Sequence, residues 1–173
     1  NEADQIFRFH LTTVAFHRDC LQLLSKEGER RGRKVKVHLK VDTGMGRLGV
    51  PLNLWPDFLK EVKRLPKIEV EGILSHFSMM DEEKDFTQNQ WRAFQRALAI
   101  AQEMGISYQY LHMASSATLT TFPAYSGNLV RPGIMLYGYP ECVTQWTSIY
   151  PPQGSTQAPG LSNPGLFSRG SRG

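Results

Sequence analysis

The chain has 173 residues, 40% of them hydrophobic and 21% charged, enough for one globular domain with a substantial core. Its net charge of +4 and pI of about 9.2 are spread among acidic residues, so a nucleic-acid partner is not expected and a small phosphorylated ligand suits the charge equally well. No run approaches the roughly 18 continuous apolar residues of a membrane helix, and Cys20 and Cys142 show neither disulfide-scaffold nor metal-ligand spacing, so a cytoplasmic setting without membrane or metal is expected.

The first residues, NEADQIFRFH, carry no signal pattern and no initiating methionine, and read as the interior of a longer chain. Phe16, Cys20, Leu23 and Leu24 follow helical spacing through AFHRDCLQLLSKEGERRG, with Gly32 as the stop. VKVHLKV then alternates: Val35, Val37, Leu39 and Val41 share one face of a predicted strand, and Lys36, His38 and Lys40 share the other. A second helix is predicted over PDFLKEVKRL, with Pro56 in its first turn and Phe58, Leu59, Val62 and Leu65 turned inward.

IEVEGILSHF reads as a second strand ending at His76. A third helix is predicted to begin at Thr87, where Thr87 and Gln90 match a T-x-x-Q capping box, and to end at Gly105; Trp91, Phe94, Leu98 and Ala101 form its apolar stripe. YQYLHMAS gives a third strand ending at His112 and the Ser115-Ser116 pair. A short polar turn leads to LVRPGIMLYG, a fourth β-like run broken by Pro132. Beyond about residue 140 the hydrophobic period is lost, and 141–173, rich in Ser, Pro and Gly, is predicted to be disordered.

Strands alternating with helices predict parallel pairing, and right-handed crossovers bring the strands' C-terminal ends to one rim. The chemically informative side chains fall at those ends: Lys40, Asp42 and Arg47, then His76, then His112, Ser115 and Ser116, then Arg131 and Gly133. Ligands bind at that rim in α/β folds. Taken singly, each feature also has an ordinary structural reading. Gly44 and Gly46 suit a tight turn, and a lone histidine at a strand end is commonly a satisfied structural residue. Arg47 beside the glycine turn suits oxyanion or carboxylate binding, yet Lys40 lies close enough to repel it, and Asp42 is the nearest neutralising group. Ser115, Ser116 and the Arg131-Pro132-Gly133-Ile134 run suit a phosphate cradle, or an edge-strand kink.

KVDTGMGRLGV, SHF, HMASSA and VRPGIMLYG, in that order and spacing from about residue 4 to residue 139, closely resemble the alanine racemases, a pyridoxal 5'-phosphate (PLP) dependent family of fold-type III. The resemblance implies an α/β fold, the C-terminal half of a TIM-type (β/α)8 barrel, with residues 1–140 as a partial PLP-binding domain and 141–173 as an aberrant or disordered tail. It implies interconversion of L- and D-alanine by two-base removal and return of the α-proton, supplying D-alanine for peptidoglycan, in a homodimeric parent enzyme. Arg47 would reach the cofactor's phenolic oxygen and the substrate carboxylate. Lys40 matches a position carbamylated in many members, which would turn a repelling cation into an anion able to hold Arg47. Arg131 would face the pyridine nitrogen, with His76 and His112 positioning it. Ser116, Gly133 and Ile134 match phosphate contacts, and Ser115 stands where many members have asparagine. The family's lysine and tyrosine bases match nothing in this sequence, so the chain alone is expected to be inactive. Another fold-type III enzyme (a broad-specificity racemase or a D-threonine-aldolase-like protein) and a non-catalytic PLP carrier barrel are the alternative readings.

Overall fold

The computed structural model describes residues 2–78 and 84–138. The expected tail, 141–173, lies outside the described residues. Helix α1 (Glu2–Arg8) precedes strand β1 (Thr13–Ala15), helix α2 (Arg18–Arg30) and strand β2 (Val35–Asp42). A two-residue strand β3 (Val50–Pro51), helix α3 (Trp55–Lys63), strand β4 (Ile68–Leu74), helix α4 (Lys84–Glu103) and strand β5 (Tyr110–His112) follow. Helix α5 (Ser116–Thr121) and 3-10 turns at Pro123–Tyr125 and Ile134–Tyr137 complete the order.

The sheet order is β1-β2-β4-β5, and every pair in it is parallel. α2, α3 and α4 are the crossovers, which is the repeating unit of a (β/α) barrel; among the described residues the sheet is open rather than closed. The helices cover one face. Val35, Val37, Leu39 and Val41 of β2 are all buried, as the alternation predicts, and pack with Trp55, Phe58, Leu59 and Val62 of α3 and Phe94, Ala97 and Ala101 of α4 in one core. Trp55 lies fully buried between the two helices and donates its indole N–H to the Ala97 carbonyl at 3.0 Å, so the largest core side chain leaves no polar atom unmet.

Several boundaries differ from expectation. In α2 the buried face is Leu21, Leu24, Ser25 and Gly28, whereas Cys20 and Leu23 are exposed; the inward stripe is turned by one residue from the predicted one. α4 begins at Lys84, so Thr87 and Gln90 do not cap it. Both are fully buried within the helix, and the Gln90 side-chain carbonyl accepts the Ser78 N–H at 3.0 Å, tying the loop after β4 to the helix. The polar turn expected after Ser115 is helix α5, with Ser115 at its N-cap. The fourth β-like run is not a strand. Pro132 has no N–H to give a ladder, and the run is held by a single backbone bond, Arg131 N–H to the Ala114 carbonyl at 3.1 Å, before it turns into the 3-10 piece Ile134–Tyr137.

Candidate active site

The rim is built by the segments that leave β2, β4 and β5. β2 runs into 43–49, where the Asp42 carboxylate accepts the N–H groups of Gly44, Met45 and Gly46 at 2.9, 3.0 and 3.0 Å. Gly44 and Gly46 hold φ of +129° and +68°, which is the conformational freedom the turn needs. Thr43 Oγ1 and Ser75 Oγ, 2.8 Å apart, link this turn to the end of β4. Asp42 is therefore chiefly the organiser of the glycine turn, a role that sequence reasoning gave to the glycines alone.

Arg131 lies at the centre. Its Nη2 donates to the Ser75 carbonyl at 2.9 Å, to His76 Nδ1 at 3.2 Å and to the Met113 carbonyl at 3.5 Å, and its Nη1 donates to His112 Nδ1. Three predicted residues from three separate segments thus meet in one cluster. His112 is buried and His76 half-buried; burial first, and then the Arg131 charge, hold their pKa values down to about 3 and about 4, so both rings are neutral near pH 7. Burial also lowers the Arg131 pKa. An arginine with neutral partners keeps its positive charge available to a further acceptor.

Lys40, 9% exposed, stands on the polar face of β2. Burial, then the charges of Arg47 and Arg131, lower its pKa, with Asp42 opposing. The predicted repulsion between Lys40 and Arg47 is therefore present in the folded chain, and Arg47 itself is exposed at the end of the glycine turn. On the β5 side, buried Ser116 accepts the N–H groups of Gly133 and Met135 on its Oγ at 2.9 and 3.2 Å. The Gly133 amide is thus engaged by Ser116, while Ile134 is half exposed at the start of the 3-10 turn. Ser115 stands at the N-cap of α5: its N–H donates to Thr118 Oγ1 at 3.1 Å, and its Oγ lies 3.4 Å from the same hydroxyl.

Sequence reasoning missed two members of the polar network. His38 Nδ1 lies 2.7 Å from His112 Nε2, and His38 Nε2 lies 3.3 Å from Glu71 Oε2. The signal for His38 was in VKVHLKV, between two lysines on the polar face. Glu71 carried none, because its reach depends on how β4 is registered against β2.

A parallel α/β sheet whose crossover helices cover one face, with an arginine-histidine cluster at the strands' C-terminal ends, defines a barrel-type α/β domain. Residues 1–141 match the family model described as alanine racemase, N-terminal domain. The chain belongs to that family. It is 46% identical over 110 residues to the alanine racemase of Citrifermentans bemidjiense, covering 61% of this chain and 29% of the relative. It is 39% identical over 141 residues to that of Syntrophobacter fumaroxidans, covering 81% and 37%. The solved alanine racemase from Streptomyces coelicolor A3(2) superposes with a TM-score of 0.76 at 27% identity, covering 81% of this chain and 39% of that one. The chain thus spans about a third of the length of these relatives.

Proposed function

We propose that this chain forms the cofactor-holding part of an alanine racemase, which interconverts L- and D-alanine, and that the cofactor is PLP. The observation that carries the reading is the Arg131 cluster, a half-buried guanidinium surrounded by neutral acceptors at a barrel rim, in a chain of this family. The donor set suits PLP, which combines a dianionic phosphate, an acidic phenolic oxygen and a ring nitrogen. Arg131 offers a fixed cation to the ring nitrogen. Ser116, with both lone pairs filled by the Gly133 and Met135 amides, has its own O–H to give a phosphate oxygen beside Gly133 and Ile134.

When bound, PLP supplies an electron-withdrawing ring that acidifies the substrate's α-proton. Arg131 would hold the ring nitrogen without surrendering a proton, and so would limit that withdrawal to what removal and return of one proton requires. His76 and His112, both neutral, aim the guanidinium and do not compete with it as cations. Arg47 would attract the phenolic oxygen and the substrate carboxylate. Lys40, whose lowered pKa favours the free amine, attacks carbon dioxide: an N–C bond forms, a proton leaves, and the resulting carbamate anion holds Arg47. Incubation with ¹³C-bicarbonate should therefore give a carbamate ¹³C signal that Lys40→Ala abolishes; a spectrum identical in the two proteins counts against the modification.

The two bases that remove and return the proton are assigned to chain other than this one, in a homodimeric parent. The 173-residue chain is accordingly expected to perturb the absorbance of added PLP, but to put no deuterium on the α-carbon of L-alanine in D₂O beyond that in a free-PLP control. Exchange above that control overturns the assignment of the bases. Absence of any PLP binding overturns the cofactor-holding role.

A further inference from the structure

The polar face of the sheet carries a chain of contacts that runs away from the rim. Arg131 Nη1 meets His112 Nδ1; His112 Nε2 lies 2.7 Å from His38 Nδ1; His38 Nε2 lies 3.3 Å from Glu71 Oε2. Glu71 then accepts from Lys36 Nζ at 2.7 Å on Oε1 and from Thr12 Oγ1 at 2.9 Å on Oε2. We propose that Glu71 is a positioning residue that fixes which nitrogen of His38 and of His112 carries the proton, and so secures for Arg131 an acceptor on the His112 ring.

Donor and acceptor chemistry allows one consistent assignment. A guanidinium only donates, so His112 Nδ1 must present its lone pair and the His112 proton sits on Nε2. That N–H donates to His38 Nδ1, which places the His38 proton on Nε2, facing Glu71. A carboxylate only accepts, so the chain ends there with every bond made. With the opposite tautomers, His112 would turn an N–H toward the Arg131 N–H and His38 would turn a lone pair toward the carboxylate. Both ends would then be repulsive, and unmade polar contacts at these half-buried sites are costly. The Lys36 ammonium, and the Thr12 and His38 hydrogen bonds, keep the Glu71 carboxyl below its ordinary range, so its acceptor character holds at neutral pH.

The backbone is shaped for this contact. The register of β2 on β4 shifts between Val37 and His38: Val37 pairs with Val70 and His38 with Gly72, so Glu71 is the extra residue of a β-bulge. The bulge lets the Glu71 carboxylate reach both Lys36 and His38. It also sets Gly72 directly opposite His38, where a Cβ would lie 2.9 Å from the ring. The bearing of this pattern on a cofactor at Arg131 rests on the function proposed above; the proton pattern itself does not.

Two-bond ¹H–¹⁵N correlation NMR on the ¹⁵N-labelled 173-residue chain at neutral pH reads the tautomers directly. His38 and His112 are both expected as Nε2–H, with unprotonated Nδ1. In Glu71→Gln the new amide must turn its oxygen to Lys36, which can only donate, and its NH₂ to His38; the His38 signal is expected to move to Nδ1–H and the His112 signal to move with it. Glu71→Ala, which removes the acceptor and adds no donor, leaves Arg131 alone to hold the pattern and should lower the Nε2–H fraction of His38. Lys36→Met should leave both rings as Nε2–H, which separates proton placement from loss of a surface ion pair. The proposal is overturned if either wild-type ring is Nδ1–H, or if neither Glu71 variant moves a tautomer. The expected tautomers in a chain that fails to bind PLP would overturn the proposed function and leave this inference standing.

Discussion

At the residue scale, the rim shows how single side chains set backbone shape. Asp42 takes three consecutive N–H groups, and two of them belong to glycines held at positive φ, which no neighbouring strand could satisfy. Removing that acceptor in Asp42→Ala should cost about 1–2 kcal/mol and speed amide hydrogen exchange at Gly44, Met45 and Gly46, with little change at β2 residues such as Leu39. Unchanged exchange at the three amides would show that the turn holds itself. From sequence, Asp42 is the group nearest to neutralise one of the Lys40–Arg47 pair. Its carboxylate geometry serves the turn, and Lys40 is left between two arginine charges.

At the element scale, Gly72 is where β4 yields to β2. Gly72→Ala would drive a methyl into the His38 ring, and overpacking of this kind costs about 1–3 kcal/mol; a lowered urea midpoint should report it, and an unchanged midpoint would mean that the bulge relaxes freely. The elements that were legible in the sequence are those long enough to repeat a period: β2, with four buried alternate positions, and α3, whose Phe58, Leu59 and Val62 face inward as predicted. β1 and β5, with three residues each, are too short to show alternation; β1 was not foreseen at all, and β5 was placed only within a longer run. The 3-10 piece after Pro132 is apolar enough to imitate a strand, but Pro132 has no N–H for a ladder, Leu136 and Tyr137 are exposed, and among the described residues no strand pairs with it. The site divided in the same way. Arg131, His76 and His112 were visible as strand-end residues, whereas Glu71 was not, because a one-residue bulge is a property of two strands together and leaves no mark on either alone.

At the scale of the whole molecule, the buried polar network couples folding to pH. His76 and His112 have pKa values below the ordinary histidine value in the folded chain, at about 4 and about 3. As pH falls below about 6.5, the unfolded chain takes up protons that the folded chain refuses, so stability declines, by up to about 1.4 kcal/mol per pH unit for each histidine. The lowered Glu71 carboxyl acts in the same direction at lower pH, since its contribution is present above the ordinary glutamate value and is lost as pH falls. Urea midpoints should therefore drop between pH 7 and pH 5, and a flat profile over that interval would contradict the neutral-ring arrangement. The sheet's other end has a consequence for handling the protein. β1 pairs only with β2 among the described residues, and Phe9, Leu11 and Val14, beside its open edge, are 59%, 50% and 45% exposed. An uncovered strand with greasy neighbours recruits like strands from solution, so concentrated samples of this chain should associate edge to edge.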